Sequence, residues 1–431
     1  MPDKVFCDPV HRHIVFDKDS DAILLDLIAC PEVQRLRRIR QLGVSSYTFP
    51  GAEHSRFGHA LGACHMMTQA LDALARNQPE LGLDDEVCLA ARCAALLHDV
   101  GHGPFSHLTE RICGFKHGRI TTDVIQGASE VNAVLRGHAS DLPGLVASLL
   151  SRGETTHPFL TDLLDSNLDV DRMDFLLRDA AYCGVSFGLY DYLRILHTLR
   201  IEEFVFDGQK HPIWLDKGKH SIEHFLYARF HMYWTVYYHK TTRGFESLFQ
   251  KVLERAKELG KDAQCLPGID RLLATTPDSE TVLGTDDNLV LAQIALWRQS
   301  NDHILADLSR RFLSRSGFKP IGPVRLDPDR LGAVEDATTW LEGKGFAPAY
   351  YLLHNTRETT AYDYYRPEEE TEELTSQTSI TLMDNNGRRT EIAHALRGVA
   401  ALSQEVNSNT FYYVPREEEA KLEQILAPLR A

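Results

Sequence analysis

The chain has 431 residues, 43% hydrophobic and 25% charged, with a formal net charge of -15. That length suits more than one domain, and the negative charge excludes a general nucleic-acid or polyanion binder, because neutralising phosphates takes Lys and Arg. No apolar stretch approaches the ~20 residues that a membrane helix needs, and the N-terminal MPDKVFCDPVHRH has charge and proline in place of a secretory apolar run, so a cytoplasmic location is expected.

From residue 20 to about 260 the pattern is mainly helical. DSDAILLDLIACPEVQRLRRIRQLG spaces its apolar residues as a helix does and stops at Gly43. Its QRLRRIRQ run is either a solvated helix face or a local basic pocket. LDDEVCLAARCAALLHDVGHG opens on acidic residues that suit a helix N-terminus and breaks at Gly101 and Gly103. Further helices are predicted over 160–183, 189–200 and 218–256, and IEEFVFDGQKHPIWL reads as a β-hairpin turning at Asp207-Gly208.

Beyond residue 260 the composition shifts. TDDNLVLAQIALWRQSNDHILADLSRRFLSR reads as two helices, whereas SITLMDNNGRRTEI and TFYYVP read as strands, with a turn at Asn386-Gly387. The expected fold is mainly α: a helical core with small β-hairpin elements over 1–260, then an α+β C-terminal lobe over 261–431 that carries an acidic loop at 365–379. The eight cysteines include no CxxC pair and are read as small apolar residues.

One histidine among 20 is ordinarily a surface or hydrogen-bonded core residue. His98 and Asp99 differ because they end an apolar helix side by side, where two buried ionisable groups are costly unless something pairs them. A divalent cation would do so. His59 opens another apolar helix, and LDVDRMDFLLRD sets Asp171 and Asp174 about one helical turn apart, a spacing that does not choose between them. Two His and two Asp form a mixed nitrogen and oxygen set suited to Mn, Fe, Zn, Co or Mg, with positions left for water and substrate oxygen.

The order His59, His98-Asp99, Asp171 resembles the H…HD…D signature of the HD-domain phosphohydrolases. The words DPVHRHI, PEVQRLRRIRQLG, FPGAEHSRFGHALG, LLHDVGHGPFSH, LDVDRMDFLLRDAAYCGVSFG and VYYHKTTRGFE are similar to its deoxynucleoside triphosphate triphosphohydrolase branch over residues 4–260, and the likeness weakens toward 320. The resemblance implies an HD-domain helical core with one divalent metal ion per subunit on His59, His98, Asp99 and Asp171. Asp171 is preferred because the family ligand precedes a basic residue, here Arg172. It also implies water attack on the α-phosphorus of a dNTP, which yields deoxynucleoside and triphosphate.

By the same resemblance His102 and His107 would contact phosphates and handle the leaving-group proton, Glu110 would orient a histidine, and His117 would be a further active-site histidine, followed here by Gly118 instead of Glu. Arg56, Arg172, Arg229 and Lys240 match phosphate-contacting positions; Gln41, Leu42, Asp179 and Tyr237 match those that bond the 3′-hydroxyl and crowd the 2′ position. Phe175 stands where the family has tyrosine. That departure keeps open an HD-type phosphatase or phosphodiesterase acting on another nucleotide, with a catalytically silent nucleotide sensor as a third reading.

Lys4, Val5, Gln34 and Arg37 match a regulatory nucleotide pocket, but Ala29 replaces its guanine-reading Asp and Cys7 an Asn, which speaks against GTP and leaves the arginines to bind another nucleotide or to stabilise a subunit interface. Related enzymes form homo-oligomers, and one is expected here. His11, His13, His65 and His239 are read as packing or hydrogen-bonding residues outside the metal shell; Phe230, Tyr233 and Trp234 are read as packing, and Tyr238 as shaping the base pocket.

Overall fold

The computed structural model describes residues 3–153, 157–204, 207–274, 276–325, 332–359, 379–404 and 407–430. Most of the expected acidic loop, 365–378, lies outside the described residues. The chain opens on an antiparallel hairpin, β1 (Lys4–Asp8) and β2 (Arg12–Phe16), whose turn is held by Asp8 Oδ1 accepting the N–H groups of Val10 and His11. The expected first helix is broken: α1 (Ala22–Ala29) stops before Pro31, and a short helix Pro31–Gln34 and a 3-10 turn Arg35–Arg38 follow. Proline cannot continue a helix, but it can start one.

The ligand-bearing helices come next. α2 (Arg56–Asn77) packs against α3 (Asp85–Leu97), which is N-capped by Asp84 accepting from the Glu86 N–H. α3 ends at His98, and the chain turns through Gly101, where a Cβ would lie 2.4 Å from the His117 carbonyl oxygen, before entering α4 (His107–Cys113) and α5 (His117–Gln126). α6 (Val170–Cys183) starts at Asp169, which accepts from the Arg172 N–H, and buries Val170, Met173, Leu176, Leu177 and Ala180 at helical spacing. Gly62 permits the crossing of α2 and α6, since a Cβ there would fall 1.9 Å from Asp174 Oδ1.

The helix expected over 218–256 is three elements: α7 (Lys219–Met232), a π-helical turn Tyr233–Tyr237, and α8 (Lys240–Leu259). The 160–183 stretch likewise divides into Pro158–Leu164 and α6, and 189–200 shortens to Tyr192–Thr198. The hairpin at Asp207-Gly208 forms from β3 (Leu199–Glu203) and β4 (Lys210–Leu215).

α9 (Asp287–Trp297) and α10 (His303–Leu313) are the two expected C-terminal helices. β5 (Lys319–Val324), β6 (Leu353–Thr359) and β9 (Asn407–Val414) make an antiparallel sheet in the order β5-β9-β6. β7 (Thr381–Met383) and β8 (Arg389–Glu391) pair across a turn with Gly387 at φ +78°. They do not join that sheet. β7 runs parallel to β4 and completes the order β3-β4-β7-β8, so Leu382, Ile392 and Val399 share a core with Trp214 and Phe225. A second core packs Val44, Phe105 and Leu108 against Phe249 of α8, Ile294 of α9 and Leu308 of α10. Both cores therefore draw residues from each side of position 260. Among the described residues no helix is long and apolar enough to cross a membrane.

Candidate active site

The apolar faces of α2, α3 and α6 bring His59, His98, Asp99 and Asp171 to one place. His59 Nε2 lies 3.2 Å from His98 Nε2 and 2.9 Å from Asp171 Oδ1. His98 Nε2 is 3.6 Å from Asp171 Oδ1 and 3.4 Å from Asp99 Oδ1, and Asp99 Oδ2 is 3.8 Å from His59 Nε2. The outer nitrogens are already committed: His59 Nδ1 donates to Asp174 Oδ2 at 2.8 Å, and His98 Nδ1 to the Ala95 carbonyl at 2.8 Å. Both Nε2 lone pairs therefore face each other across a gap near the ~3 Å edge of two ligands sharing one ion. His59, His98 and Asp171 fit a divalent cation by donor chemistry and by spacing, with Asp99 beside them.

The electrostatics agree. Burial pulls the His59 imidazole down, but Asp171 and Asp174 outweigh it and leave its pKa raised to about 10, so positive charge on Nε2, from a proton or a cation, is strongly favoured. Despite burial, His59 and His98 hold the Asp171 carboxyl well below the usual range, and Arg56 and His98 do the same for Asp99. Asp174 itself is fully buried. Besides His59 it accepts from Arg178 Nε at 2.8 Å and Nη2 at 2.9 Å, and it lies 2.6 Å from His11 Nε2 at the β1–β2 turn. The choice that spacing left open is thus divided by geometry, with Asp171 facing both Nε2 atoms and Asp174 gripping His59 from behind.

Beside this cluster Glu110 collects three histidines, with His102 Nδ1 at 3.1 Å, His107 Nδ1 at 3.3 Å and His117 Nδ1 at 3.0 Å. His102 stacks on His117 with centroids 3.9 Å apart, and its Nε2 is 3.2 Å from Asp99 Oδ1. Burial, reinforced by Arg56, brings the His102 pKa down to about 4, so this ring is neutral at pH 7; its side chain is 1% exposed against 65% for His107. The three histidines hold the Glu110 carboxyl far below its ordinary value in spite of partial burial.

His98, Asp99 and Asp171 of the first cluster and all four residues of the second line a cavity of about 1020 Å³, with His59 buried behind them. Of the residues expected to bind substrate, Gln41, Leu42, Arg56, Phe175, Asp179 and Tyr237 line it. Arg56 bonds Asp99 through Nη1 and donates from Nε to Ser106 Oγ at 2.7 Å. Three expected phosphate contacts are not part of this wall. Arg172 is ion-paired with Asp169, Arg229 Nη1 donates to Asn167 Oδ1 at 3.1 Å, and Lys240 lines a smaller cavity of about 250 Å³ that shares Tyr238 and Arg243 with the main one. Tyr233, read as packing, faces the main cavity because the π turn carries both it and Tyr237.

At the expected regulatory positions Arg37 Nε donates to Gln34 Oε1 at 2.8 Å and its guanidinium lies 3.6 Å from the Phe57 ring centroid, while Lys4 and Val5 sit exposed on β1. Sequence reasoning left Arg178 and His54 without roles at the site and Asp174 only as a rival of Asp171; Arg178 lies one helical turn from Asp174, but Asp8, His59 and Asp179, the partners that give these residues their roles, lie 170, 115 and 125 positions away.

A model of the HD domain matches residues 56–179, and one of the HD associated region matches 191–327. An uncharacterized protein, YwfO of Bacillus subtilis (strain 168), is 36% identical over 421 residues, 96% of this chain and 93% of that one. The chain belongs to the HD-domain phosphohydrolases. This HD-domain protein superposes on a phosphohydrolase from Bacteroides thetaiotaomicron VPI-5482 with a TM-score of 0.75 and 29% identity, covering 96% of this chain and 100% of that one. It is also 30% identical over 288 residues to the deoxynucleoside triphosphate triphosphohydrolase SAMHD1 of Danio rerio, covering 59% of this chain and 45% of that longer protein.

Proposed function

We propose that this HD-domain phosphohydrolase is a metal-dependent deoxynucleoside triphosphate triphosphohydrolase that cleaves between the α-phosphorus and O5′ to give deoxynucleoside and triphosphate. The observation that carries the reading is the pair of facing Nε2 atoms of His59 and His98, completed by Asp99 and Asp171, with the last three on the wall of a cavity whose other walls present Gln41, Asp179 and Tyr237. A divalent cation held there would supply Lewis acidity, making water more acidic and stabilising charge on a phosphoryl oxygen.

The remaining chemistry belongs to the chain. Arg56, fixed by Asp99 and Ser106, presents positive charge to the polyphosphate. His102 is held neutral and buried, which suits it to orient phosphate oxygens; His107 is exposed with Glu110 behind it, which suits it to deliver a proton to O5′ as that bond breaks. His117 shares Glu110 and steadies the pair. Asp179 and Tyr237 receive the sugar, with Leu42 crowding its 2′ side. A homo-oligomer, with a nucleotide effector at Lys4, Val5, Gln34 and Arg37, completes the proposal.

The test offers the four dNTPs, GTP and ATP to purified protein with Mn or Mg, alongside Asp99→Ala. Deoxynucleoside with intact triphosphate, abolished in the variant, supports the reading. Stepwise phosphate release moves it to an HD-type nucleotide phosphatase, the alternative that Phe175 favours by placing an apolar ring 6.3 Å from Tyr237 where a hydroxyl would contact substrate. Tight binding without turnover indicates a sensor.

A further inference from the structure

His54, 5% exposed, lies in the segment that leads into α2. Its carbonyl oxygen accepts the Gln41 N–H at 3.0 Å, and its Nε2 lies 2.7 Å from Asp179 Oδ1. The other Asp179 oxygen, Oδ2, accepts the Tyr237 hydroxyl at 2.7 Å. His54 thus bonds two cavity-lining residues, Gln41 through its main chain and Asp179 through its ring, and Asp179 links on to Tyr237. The segment is clamped from outside as well: the His54 ring stacks on Tyr182 with centroids 4.5 Å apart at 22°, and a Cβ on Gly51 would come within 2.3 Å of the Tyr182 carbonyl oxygen.

The proton positions follow from the partners. His54 Nδ1 is buried without a hydrogen-bond partner among the described residues, so the ring hydrogen sits on Nε2 and is donated to Asp179. Asp179 then takes one N–H and one O–H and acts only as an acceptor, with a lone pair left on each oxygen for a hydroxyl in the cavity. Gln41 Oε1, buried and also unpartnered, is a second acceptor on the same cavity wall. Two acceptors awaiting donors disfavour a ligand that brings no hydroxyl, because it would leave them unpaired.

We propose that His54 is a positioning residue that sets this cavity's preference for a sugar with a free 3′-hydroxyl. It acts on the ligand through Asp179. The inference rests on the nucleotide reading above, and its effect belongs in KM, since a contact to a non-reacting part of the substrate is made alike in ground and transition states.

The experiment measures kcat and KM for a dNTP and its 2′,3′-dideoxy counterpart with the metal-loaded wild type, His54→Phe and His54→Gln, and checks metal content and melting temperature for each. Phenylalanine keeps the stack on Tyr182 and removes the donor; glutamine restores a donor of similar reach. The expected result is a wild type that prefers the 3′-hydroxyl, a fall of ~10-fold or more in that preference for His54→Phe, carried by KM and with metal content unchanged, and substantial recovery in His54→Gln. If His54→Phe does not fold, His54→Asn, too short to reach Asp179, is measured in its place. A preference kept in the donor-less variant, or equal losses on both substrates, overturns the role of His54 alone. A wild type that turns over both equally overturns this inference alone, whereas one that turns over no nucleotide overturns the nucleotide reading and this inference with it.

Discussion

At the scale of single residues, the ordering of the proposed metal centre rests on groups outside the set that would hold the ion. Asp174 is the clearest. Its buried carboxylate fixes the His59 tautomer and neutralises Arg178, whose Nη1 also reaches Asp8 Oδ2 at 2.7 Å. Asp174→Asn removes that charge but leaves the metal-facing atoms intact, so metal affinity is expected to fall by ~10- to 100-fold, as is usual when the partner of a ligating histidine is lost. Chelator competition measures it; an unchanged affinity would show that His59 is oriented by something else. Of the four proposed ligands, His98 and Asp99 were legible because costly groups stood at the end of an apolar helix; Asp171 was set apart from Asp174 only by the family resemblance. Asp174 was visible only as a rival to Asp171, since both occupy one helical turn and the partner that separates their roles, His59, lies 115 positions away.

At the scale of elements, the loop between α3 and α4 holds two successive non-glycine residues with left-handed backbone, Phe105 at φ +55° and Ser106 at φ +53°. Such residues cost ~1–3 kcal/mol each unless their surroundings impose them. Here α9 does so: Asp287 Oδ1 accepts the Phe105 N–H at 2.7 Å and Oδ2 the Arg40 N–H at 2.9 Å, while Arg35 Nη2 donates to the His102 carbonyl at 2.7 Å. Asp287→Ala leaves the buried Phe105 N–H without an acceptor, at ~1–3 kcal/mol, and frees the partly buried Arg40 N–H as well. It is expected to lower the melting temperature and kcat together while the metal stays bound, and a variant with wild-type kcat would refute the coupling. The helices around this loop were legible from apolar spacing and from the stops at Gly43, Gly101 and Gly103. The π turn was not, because one extra residue in a turn leaves no local mark in a run of aromatic side chains such as YWTVYY.

At the scale of the whole molecule, composition suggested a division near 260, but packing crosses it. Phe245, Leu248, Phe249 and Val252 of α8 are buried in a core completed by α9 and α10, and β7 extends the sheet begun by β3 and β4. Strand pairing over such separations is fixed by burial, which no local pattern records. Residues 1–260 expressed alone should therefore expose the buried face of α8 and the edge of β4. Loss of a cooperative thermal transition is the expected outcome, and a stable, cooperative fragment would contradict it.

The chemistry assigned to the cavity makes one demand that other phosphohydrolase reactions do not share. Hydrolysis of a dNTP in water enriched in oxygen-18, analysed by mass spectrometry, shows which bond breaks. Attack at the α-phosphorus leaves one labelled oxygen in intact triphosphate and none in the deoxynucleoside. Label in orthophosphate or pyrophosphate, with a nucleotide as the other product, would contradict attack at the α-phosphorus.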